Sequence, residues 1–144
     1  MELYFIRHGK TKGNIEKRYI GSTDENLCKE GKEELVFSKY SFVEKIYSSP
    51  MKRCLQTAEI MCPNKEINII EGLKESDFGD FEYKTYEDLK NTTSYIKWIE
   101  SGGKMGFSNG ESNAEMKERC INAFEIIKKD MFKNGINTAA VFTH

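Results

Sequence analysis

The chain has only two histidines, His8 and His144, and each lies just after a short apolar run. These runs, at residues 3–6 and 138–143, predict strands that are buried on both faces of a sheet. In open α/β sheets, ligands bind outside the carboxyl ends of the strands. Two histidines at equivalent strand ends therefore favour one shared catalytic site over two separate structural residues. A metal pair is the alternative, but no third ligand stands at a suitable spacing, and we expect no metal.

Only four arginines occur in a chain that otherwise uses lysine for positive charge, and two of them accompany this predicted site. Arg7 directly precedes His8, and Arg53 falls in the first turn of a predicted helix. A helix N-terminus attracts anions, and guanidinium groups bind phosphate oxygens in pairs. Chance and codon usage explain any single arginine. Arg7 and Arg53 together predict an anion site, and phosphate suits this site better than a carboxylate.

Strands and helices alternate along the rest of the chain. Apolar runs predict further strands at residues 45–48 and 67–70. Between them, Ser49 as the N-cap and Pro50 at the first helical position predict a helix that ends near Met61.

Two other helices are predicted from apolar periodicity. The first covers residues 29–40, with Leu35 and Val36 as core candidates, and the second begins at a capping box of Ser112 and Glu115. The alternation predicts an α/β fold, a three-layer α/β/α sandwich around a mainly parallel sheet, and a single domain over residues 1–144. The predicted apolar stripe of the second helix is Met116, Cys120, Phe124, Ile127 and Met131.

The composition is ordinary for a globular protein, with 38% hydrophobic and 31% charged residues. The formal net charge of -1 gives no electrostatic reason for binding nucleic acid or an anionic membrane. No apolar run approaches the roughly 18 residues that span a bilayer, and the N-terminus does not resemble a signal peptide. We therefore expect a cytoplasmic protein whose four cysteines are reduced thiols.

Five sequence motifs occur in the same order as in a known protein family. A lone Arg-His-Gly tripeptide is a weak signal, but five motifs spread over nearly the whole chain are specific. On these motifs, the chain resembles the histidine phosphatase (phosphoglycerate mutase-like) superfamily. The segments that carry the resemblance are Arg7-His8-Gly9 with Thr11 and Asn14, Ser48-Ser49-Pro50-Met51 with Arg53 and residues 56–58, Leu73-Lys74-Glu75 with Phe78-Gly79, Gly110-Glu111-Ser112, and Phe142-Thr143-His144.

The resemblance implies transfer of a phosphoryl group through a phosphohistidine. His8 is then the nucleophile, and Glu75 is the general acid that protonates the leaving oxygen and later activates water. A protonated His144 assists by stabilising charge on the phosphoryl oxygens. No cofactor is required, because arginines supply the positive charge. The implied phosphate-binding residues are Arg7, Asn14, Gly21 and Arg53.

Within the family, residues 18–24, 78–82 and 95–98 resemble the α-ribazole phosphatase subgroup. They predict a small-molecule phosphomonoester, α-ribazole 5'-phosphate, as the substrate, and a homodimer is compatible with this reading. One alternative is a phosphotransferase of the phosphoglycerate mutase type, which we disfavour because the basic, proline-rich insertion after the proton donor is missing. The other alternative is a phosphate-binding domain without turnover.

The sequence also departs from the family pattern. Phe81 and Tyr83 stand where a Trp-Glu-Gly tripeptide is common, and we expect both to shape the wall of the pocket. Arg18 is expected either to contact the distal part of the substrate or to lie at the surface, and Arg119 is expected to be structural. Family members usually continue beyond the second histidine, so the resemblance implies a chain that lacks the C-terminal part of the fold.

Overall fold

In the described residues, 1–35 and 40–144, the computed structural model contains one sheet of four parallel strands. The strands are β1 (Glu2–Arg7), β2 (Lys45–Ser48), β3 (Ile67–Ile69) and β4 (Thr138–Thr143). Their order across the sheet is β1-β4-β2-β3, so the last strand of the sequence lies between the first two. This order places the carboxyl ends of β1 and β4 side by side.

Helices connect these strands. The capping box predicted from the sequence is present, because Ser112 Oγ accepts the N–H of Glu115 and the Glu115 carboxylate accepts the N–H of Ser112. Among the described residues, no helix has the length and apolar character that crossing a bilayer requires. The α-helices are α1 (Lys12–Ile15), α2 (Lys29–Leu35), α3 (Lys52–Met61), α4 (Tyr86–Leu89), α5 (Thr93–Glu100) and α6 (Asn113–Lys133), and two 3₁₀ helices cover Glu71–Leu73 and Gly79–Phe81.

The sheet has an apolar core on each face. Side chains alternate along a strand, so Ala140 and Phe142 of β4 pack with α3, whereas Ala139 and Val141 pack with α6. All four are fully buried, and burying a side chain as large as valine or phenylalanine stabilises a fold by roughly 1.5–3 kcal/mol. Helices on both faces of a parallel sheet confirm the predicted three-layer α/β/α sandwich.

The first strand is more exposed than the sequence predicts. Its apolar run indicated burial on both faces, but Phe5 is 60% exposed. The reason is position, because β1 lies at the edge of the sheet and, among the described strands, pairs only with β4. The core candidate Val36, in the predicted helix over residues 29–40, lies outside the described residues.

Two helices differ in detail from the expectations. α3 begins at Lys52 rather than at Pro50, because the hydroxyl of Ser49 does not cap the helix; it accepts the N–H of Met51 and contacts His144. In α6, Phe124 of the predicted apolar stripe is 40% exposed. The buried stripe of α6 instead contains Ala123, Ile127 and Met131.

Candidate active site

The two histidines lie side by side at the carboxyl edge of the sheet. Each follows the last residue of its strand, and the N–H of His8 donates to the carbonyl of Thr143 at 3.0 Å. The centroids of the His8 and His144 rings are 5.2 Å apart. The predicted proximity is confirmed, and it follows from the pairing of β1 with β4 in parallel register.

The ring of His8 has its proton on Nδ1. This atom lies 2.7 Å from the carbonyl oxygen of Gly9, which can only accept, so Nδ1–H donates and Nε2 keeps its electron pair. The pKa of His8 is lowered from 6.5 to about 4 by burial and by the charges of Arg53 and Arg7, although the Gly9 hydrogen bond opposes the shift. At neutral pH the ring is therefore uncharged, which is the form that a nucleophile requires.

His144 is held by groups at the start of α3. Arg53 Nε donates to its Nδ1 at 3.3 Å, and its Nε2 lies 3.0 Å from Ser49 Oγ. Because a guanidinium only donates, Nδ1 accepts and Nε2 carries the proton. Burial, Arg53 and the neighbouring His8 lower the pKa of His144 to about 3. At neutral pH the ring is therefore uncharged, and its protonated form in the reaction stays a prediction.

Arg53 is fully buried and carries a charge that no described carboxylate pairs directly. Its Nη1 donates to the carbonyl of Thr23 and its Nη2 to the carbonyl of Gly21, both at 2.8 Å. Burial lowers the pKa of the guanidinium, and the charges of nearby carboxylates oppose that shift. Since burying a charge without a partner is unfavourable, this arrangement favours the binding of an anion.

Gly21 occupies a place where no side chain fits. A Cβ atom on Gly21 would lie 2.1 Å from the carbonyl oxygen of Ser76 and 2.4 Å from Glu82 Oε1. The carbonyl of Gly21 accepts from Arg53, and its N–H donates to Glu82 at 3.2 Å. We expected the backbone here to bind phosphate directly. The N–H and the carbonyl of Gly21 instead form hydrogen bonds within the protein, so Gly21 contributes to the site by holding the Arg53 side chain.

Arg7 and Asn14 border His8 in a cavity of about 490 Å³. Asn14 Oδ1 accepts the N–H of Thr11 at 3.0 Å and closes the first turn of α1. This bond leaves the amide nitrogen of Asn14 as a donor for a ligand. Arg7 is exposed, and its charge contributes to the lowered pKa of both histidines. Both residues can therefore bind phosphoryl oxygens beside His8.

Glu75 lines a larger cavity, of about 790 Å³, which includes neither histidine. One of its oxygens accepts the N–H of Ser76 at 2.9 Å. Its negative charge acts on the buried Arg53, which connects it electrostatically to the histidines. Of the predicted catalytic residues, His8 thus lines the smaller of these two cavities, Glu75 lines the larger, and His144 lines neither. In residues 1–35 and 40–144, no three potential ligand side chains are arranged to hold a metal.

A sequence profile of the histidine phosphatase superfamily (branch 1) matches residues 3–144, nearly the whole chain. The chain belongs to the histidine phosphatase superfamily.

Three relatives illustrate the proteins to which this superfamily member is similar. Phosphoserine phosphatase 1 of Hydrogenobacter thermophilus is 28% identical over 152 residues, which cover 100% of this chain and 71% of the relative. Adenosylcobalamin/alpha-ribazole phosphatase of Escherichia coli (strain K12) is 28% identical over 128 residues, which cover 83% of this chain and 63% of the relative. The crystal structure of phosphoserine phosphatase in complex with 3-phosphoglyceric acid from Entamoeba histolytica is 33% identical, with a TM-score of 0.79, and the match covers 99% of this chain and 73% of that chain. The chain spans less than two thirds of several curated relatives, from 59% to 65% of their length.

Arg119 of this histidine phosphatase superfamily member lies closer to the site than the sequence suggested. It lines the larger cavity and donates to the carbonyls of Gly72 and Lys74 at 2.9 and 2.8 Å. Its guanidinium also pairs with Glu111 at 2.7 Å. Arg119 is structural, as expected, but the segment that it supports leads directly into Glu75. Two features of the sequence could have indicated that Arg119 lies near the site. It is one of only four arginines, and it follows the Gly110-Glu111-Ser112 motif.

Two departures from the family pattern do not shape the larger cavity. Phe81 is 1% exposed and packs in an aromatic cluster with Tyr95, while Tyr83 is 39% exposed; neither lines the cavity beside Glu75. The expectation of a pocket-wall role for them is therefore wrong for this cavity, because the aromatic packing turns Phe81 away from it. Of the two expectations for Arg18, substrate contact or a place at the surface, the structure favours the second. Its guanidinium donates to the Glu16 carboxylate at 2.5 Å and to the Tyr83 carbonyl at 2.8 Å.

Proposed function

We propose that this chain is a phosphomonoester hydrolase that transfers a phosphoryl group first to His8 and then to water. The observation that carries the proposal is the tautomer of His8. Its Nδ1–H donates to the Gly9 carbonyl at 2.7 Å, so Nε2 has a free electron pair. The buried guanidinium of Arg53 supplies the positive charge on which phosphoryl transfer depends. Membership of the histidine phosphatase superfamily supports the proposal.

In the first step, His8 Nε2 attacks the phosphorus atom in line, and the bond from phosphorus to the ester oxygen breaks. Glu75, the proposed general acid, transfers a proton to that oxygen, so the alcohol leaves in neutral form. Arg7, Asn14 and Arg53 bind the other phosphoryl oxygens and stabilise the charge that spreads over them. The product is a phosphohistidine, which divides one difficult step into two easier ones.

In the second step, water attacks the phosphorus atom of the phosphohistidine. The Glu75 carboxylate accepts the proton from this water, and the electron pair of the N–P bond returns to His8. Inorganic phosphate then leaves. His144 assists when its Nε2–H, now 3.0 Å from Ser49 Oγ, exchanges the hydroxyl for a phosphoryl oxygen.

The finer part of the proposal is α-ribazole 5'-phosphate as the natural substrate. The resemblance of residues 18–24 and 78–82 to that subgroup and the 28% identity to the Escherichia coli relative support it. The larger cavity would receive the alcohol, and its carboxylates of Asp24, Asp77 and Glu115 belong to no ion pair among the described residues. Their charge favours an alcohol without negative charge, such as a nucleoside, over glycerate.

Phosphoserine is a second candidate, and one observation favours it. The 33% identical structure from Entamoeba histolytica and the relative from Hydrogenobacter thermophilus are both named phosphoserine phosphatases. The unpaired carboxylates of the larger cavity would attract the ammonium group of phosphoserine. A phosphotransferase of the mutase type would instead place 3-phosphoglycerate there, with negative charge alone.

The cytoplasmic location and the homodimer stay predictions, which cell fractionation and sedimentation velocity test.

Release of inorganic phosphate from three phosphomonoesters tests the proposal. Wild-type protein is expected to hydrolyse α-ribazole 5'-phosphate fastest, O-phosphoserine more slowly, and 3-phosphoglycerate least. His8→Ala should reduce every rate by about 1,000-fold or more, because it removes the nucleophile. Lys12→Gln, a change at an exposed lysine of α1, serves as the control and should leave the rates unchanged.

Two results would contradict this proposal in different ways. Equal rates for the wild type and His8→Ala would mean that His8 is not the nucleophile. A wild-type chain that binds inorganic phosphate but releases none from any of the three esters would instead be the phosphate-binding domain without turnover.

A further inference from the structure

Behind the loop that holds Arg53, the Glu82 carboxylate accepts five hydrogen bonds. Its Oε2 accepts the N–H groups of Gly21 and Thr23 at 3.2 and 3.3 Å and the hydroxyl of Thr23 at 2.6 Å. Its Oε1 accepts the N–H groups of Ser22 and Phe78 at 2.7 and 3.0 Å. A carboxylate offers about four lone-pair sites, so these donors saturate it. Glu82 is therefore not free to exchange protons with a substrate.

The same loop turns its carbonyl groups toward Arg53. The carbonyls of Gly21 and Thr23 accept from the two terminal nitrogens of the guanidinium, both at 2.8 Å. Glu82 binds the N–H groups of these two residues while Arg53 binds their carbonyls. The loop is thus held between a carboxylate and a guanidinium that do not touch each other. Any displacement of the loop away from Glu82 would also move the two carbonyls that orient Arg53.

The segment that carries Glu82 is itself well anchored. Phe81 is 1% exposed within the aromatic cluster, and residues 19 and 83–84 exchange two backbone hydrogen bonds, at 2.8 and 2.9 Å. Burial would raise the pKa of Glu82, but the bonds from Thr23 and from the backbone outweigh it and hold the pKa below its ordinary value. Glu82 is therefore a fixed anion at neutral pH, and the loop is fastened to a rigid support.

We propose that Glu82 is a positioning residue for the phosphate site. It fixes residues 21–23 and, through their carbonyls, orients the Arg53 guanidinium toward phosphoryl oxygens. The consequence for turnover rests on the proposed function, whereas the consequence for phosphate binding follows from the hydrogen bonds alone. The two consequences can be measured separately.

Glu82→Gln is the direct test, because it keeps the shape of the side chain but points an amide NH₂ at N–H donors. The expected result is an affinity for inorganic phosphate about 10- to 100-fold weaker by calorimetry, as is typical at metal sites when a ligand loses its supporting hydrogen-bond partner. For the preferred phosphomonoester, kcat should fall by a similar factor, because oriented charge matters most in the transition state.

A matched control is available at the opposite end of the sheet. Asp130 is also a carboxylate with several donors, since it accepts from Lys45 Nζ at 2.7 Å, Tyr47 Oη at 2.5 Å and Asn134 Nδ2 at 2.8 Å. Asp130→Asn should reduce thermal stability as Glu82→Gln does, yet leave phosphate affinity and kcat unchanged. This contrast separates positioning of Arg53 from a general loss of structure.

A double-mutant cycle with Arg53→Lys identifies the route of the effect. If Glu82 acts through Arg53, adding Glu82→Gln to Arg53→Lys should weaken phosphate binding further by less than about threefold. If Glu82→Gln does not fold, Thr23→Val removes only the hydroxyl donor, and a loss of about 3- to 10-fold in phosphate affinity is expected.

The inference is overturned if the tested variant, Glu82→Gln or Thr23→Val, binds phosphate as tightly as Asp130→Asn, or if the cycle is additive. A wild type that binds phosphate but hydrolyses no ester would contradict the proposed function and leave the binding comparison to decide the role of Glu82. A wild type that binds no inorganic phosphate would overturn both.

Discussion

At the scale of single residues, the two histidines carry opposite tautomers. His8 donates from Nδ1 to the Gly9 carbonyl, whereas His144 donates from Nε2 to Ser49 and accepts from Arg53 at Nδ1. This difference has a chemical meaning, because only His8 has an unprotonated Nε2. The hydrogen bonds of the rings therefore support the proposed assignment of His8 as the nucleophile and His144 as its assistant, in addition to the sequence motifs.

NMR titration of the histidine rings tests this assignment, since the chain has only two histidines. With pKa values of about 4 and about 3, neither ring is expected to titrate between about pH 8 and pH 5. Nitrogen chemical shifts should show the proton on Nδ1 of His8 and on Nε2 of His144. Inorganic phosphate should raise the pKa of His144, because it brings negative charge to the ring. A ring that titrates near pH 6.5 without phosphate would contradict the account.

At the scale of elements, α6 supports the segment that leads into Glu75. Arg119→Gln is expected to lower the free energy of unfolding by about 1–3 kcal/mol, because it leaves the carbonyls of Gly72 and Lys74 without their charged donor. We also expect kcat to fall several-fold, since Glu75 follows this segment. Urea denaturation and phosphate release measure the two effects.

Lys128→Gln on the same helix is the control for Arg119→Gln. Lys128 forms an exposed pair with Glu125, and its loss should change stability by less than about 0.5 kcal/mol and leave kcat unchanged. If Arg119→Gln also left kcat unchanged, Arg119 would support the fold alone.

Elements with local signals were predicted closely. The capping box at Ser112 places the start of α6 correctly, and the apolar run at residues 138–143 matches the bounds of β4. The start of α3 was placed two residues early, because Ser49 is taken by a long-range contact with His144. A serine caps a helix only when its hydroxyl is free to accept from the first turn. The sequence around Ser49 cannot show that His144, 95 positions away, contacts this hydroxyl.

At the scale of the whole molecule, the strand order joins groups that are far apart in the sequence. Because β4 lies between β1 and β2, His144 comes beside His8 and Arg53. The sequence predicted that His8, Arg53 and His144 come together, since the motifs and strand ends mark them. It predicted a structural role for Arg119, but neither the bonds of Arg119 to the segment before Glu75 nor the contacts of Glu82, because these side chains bind backbone carbonyls or N–H groups, which nearly every residue has.

The partly buried, neutral histidines also predict how stability depends on pH. Their pKa values are lowered from 6.5 in the unfolded chain to about 4 and about 3, so the unfolded state binds more protons in acid. The stability from these groups is complete above about pH 6.5 and is lost as the pH falls toward 4. Between pH 6.5 and 4.5 the loss should be about 2–3 kcal/mol per histidine. Carboxylates whose pKa is lowered in the folded protein, such as that of Asp130, also lose their contribution to stability in acid, but at a lower pH than the histidines.

Chemical denaturation across this pH range measures the effect, with His8→Gln as the comparison. The variant should show a shallower decline than the wild type between pH 6.5 and 4.5, because one of the two groups that take up protons on unfolding is gone. Identical slopes for the two proteins would mean that His8 is not held neutral by burial.

The most direct test of the account is to look for the covalent intermediate. Wild-type protein is mixed with a ³²P-labelled phosphomonoester, quenched within milliseconds, and digested for peptide mapping. The account predicts label that is stable in alkali and labile in acid, on the peptide that contains His8, and none on His8→Ala. Hydrolysis without any labelled His8, or label on another residue, would contradict the central claim.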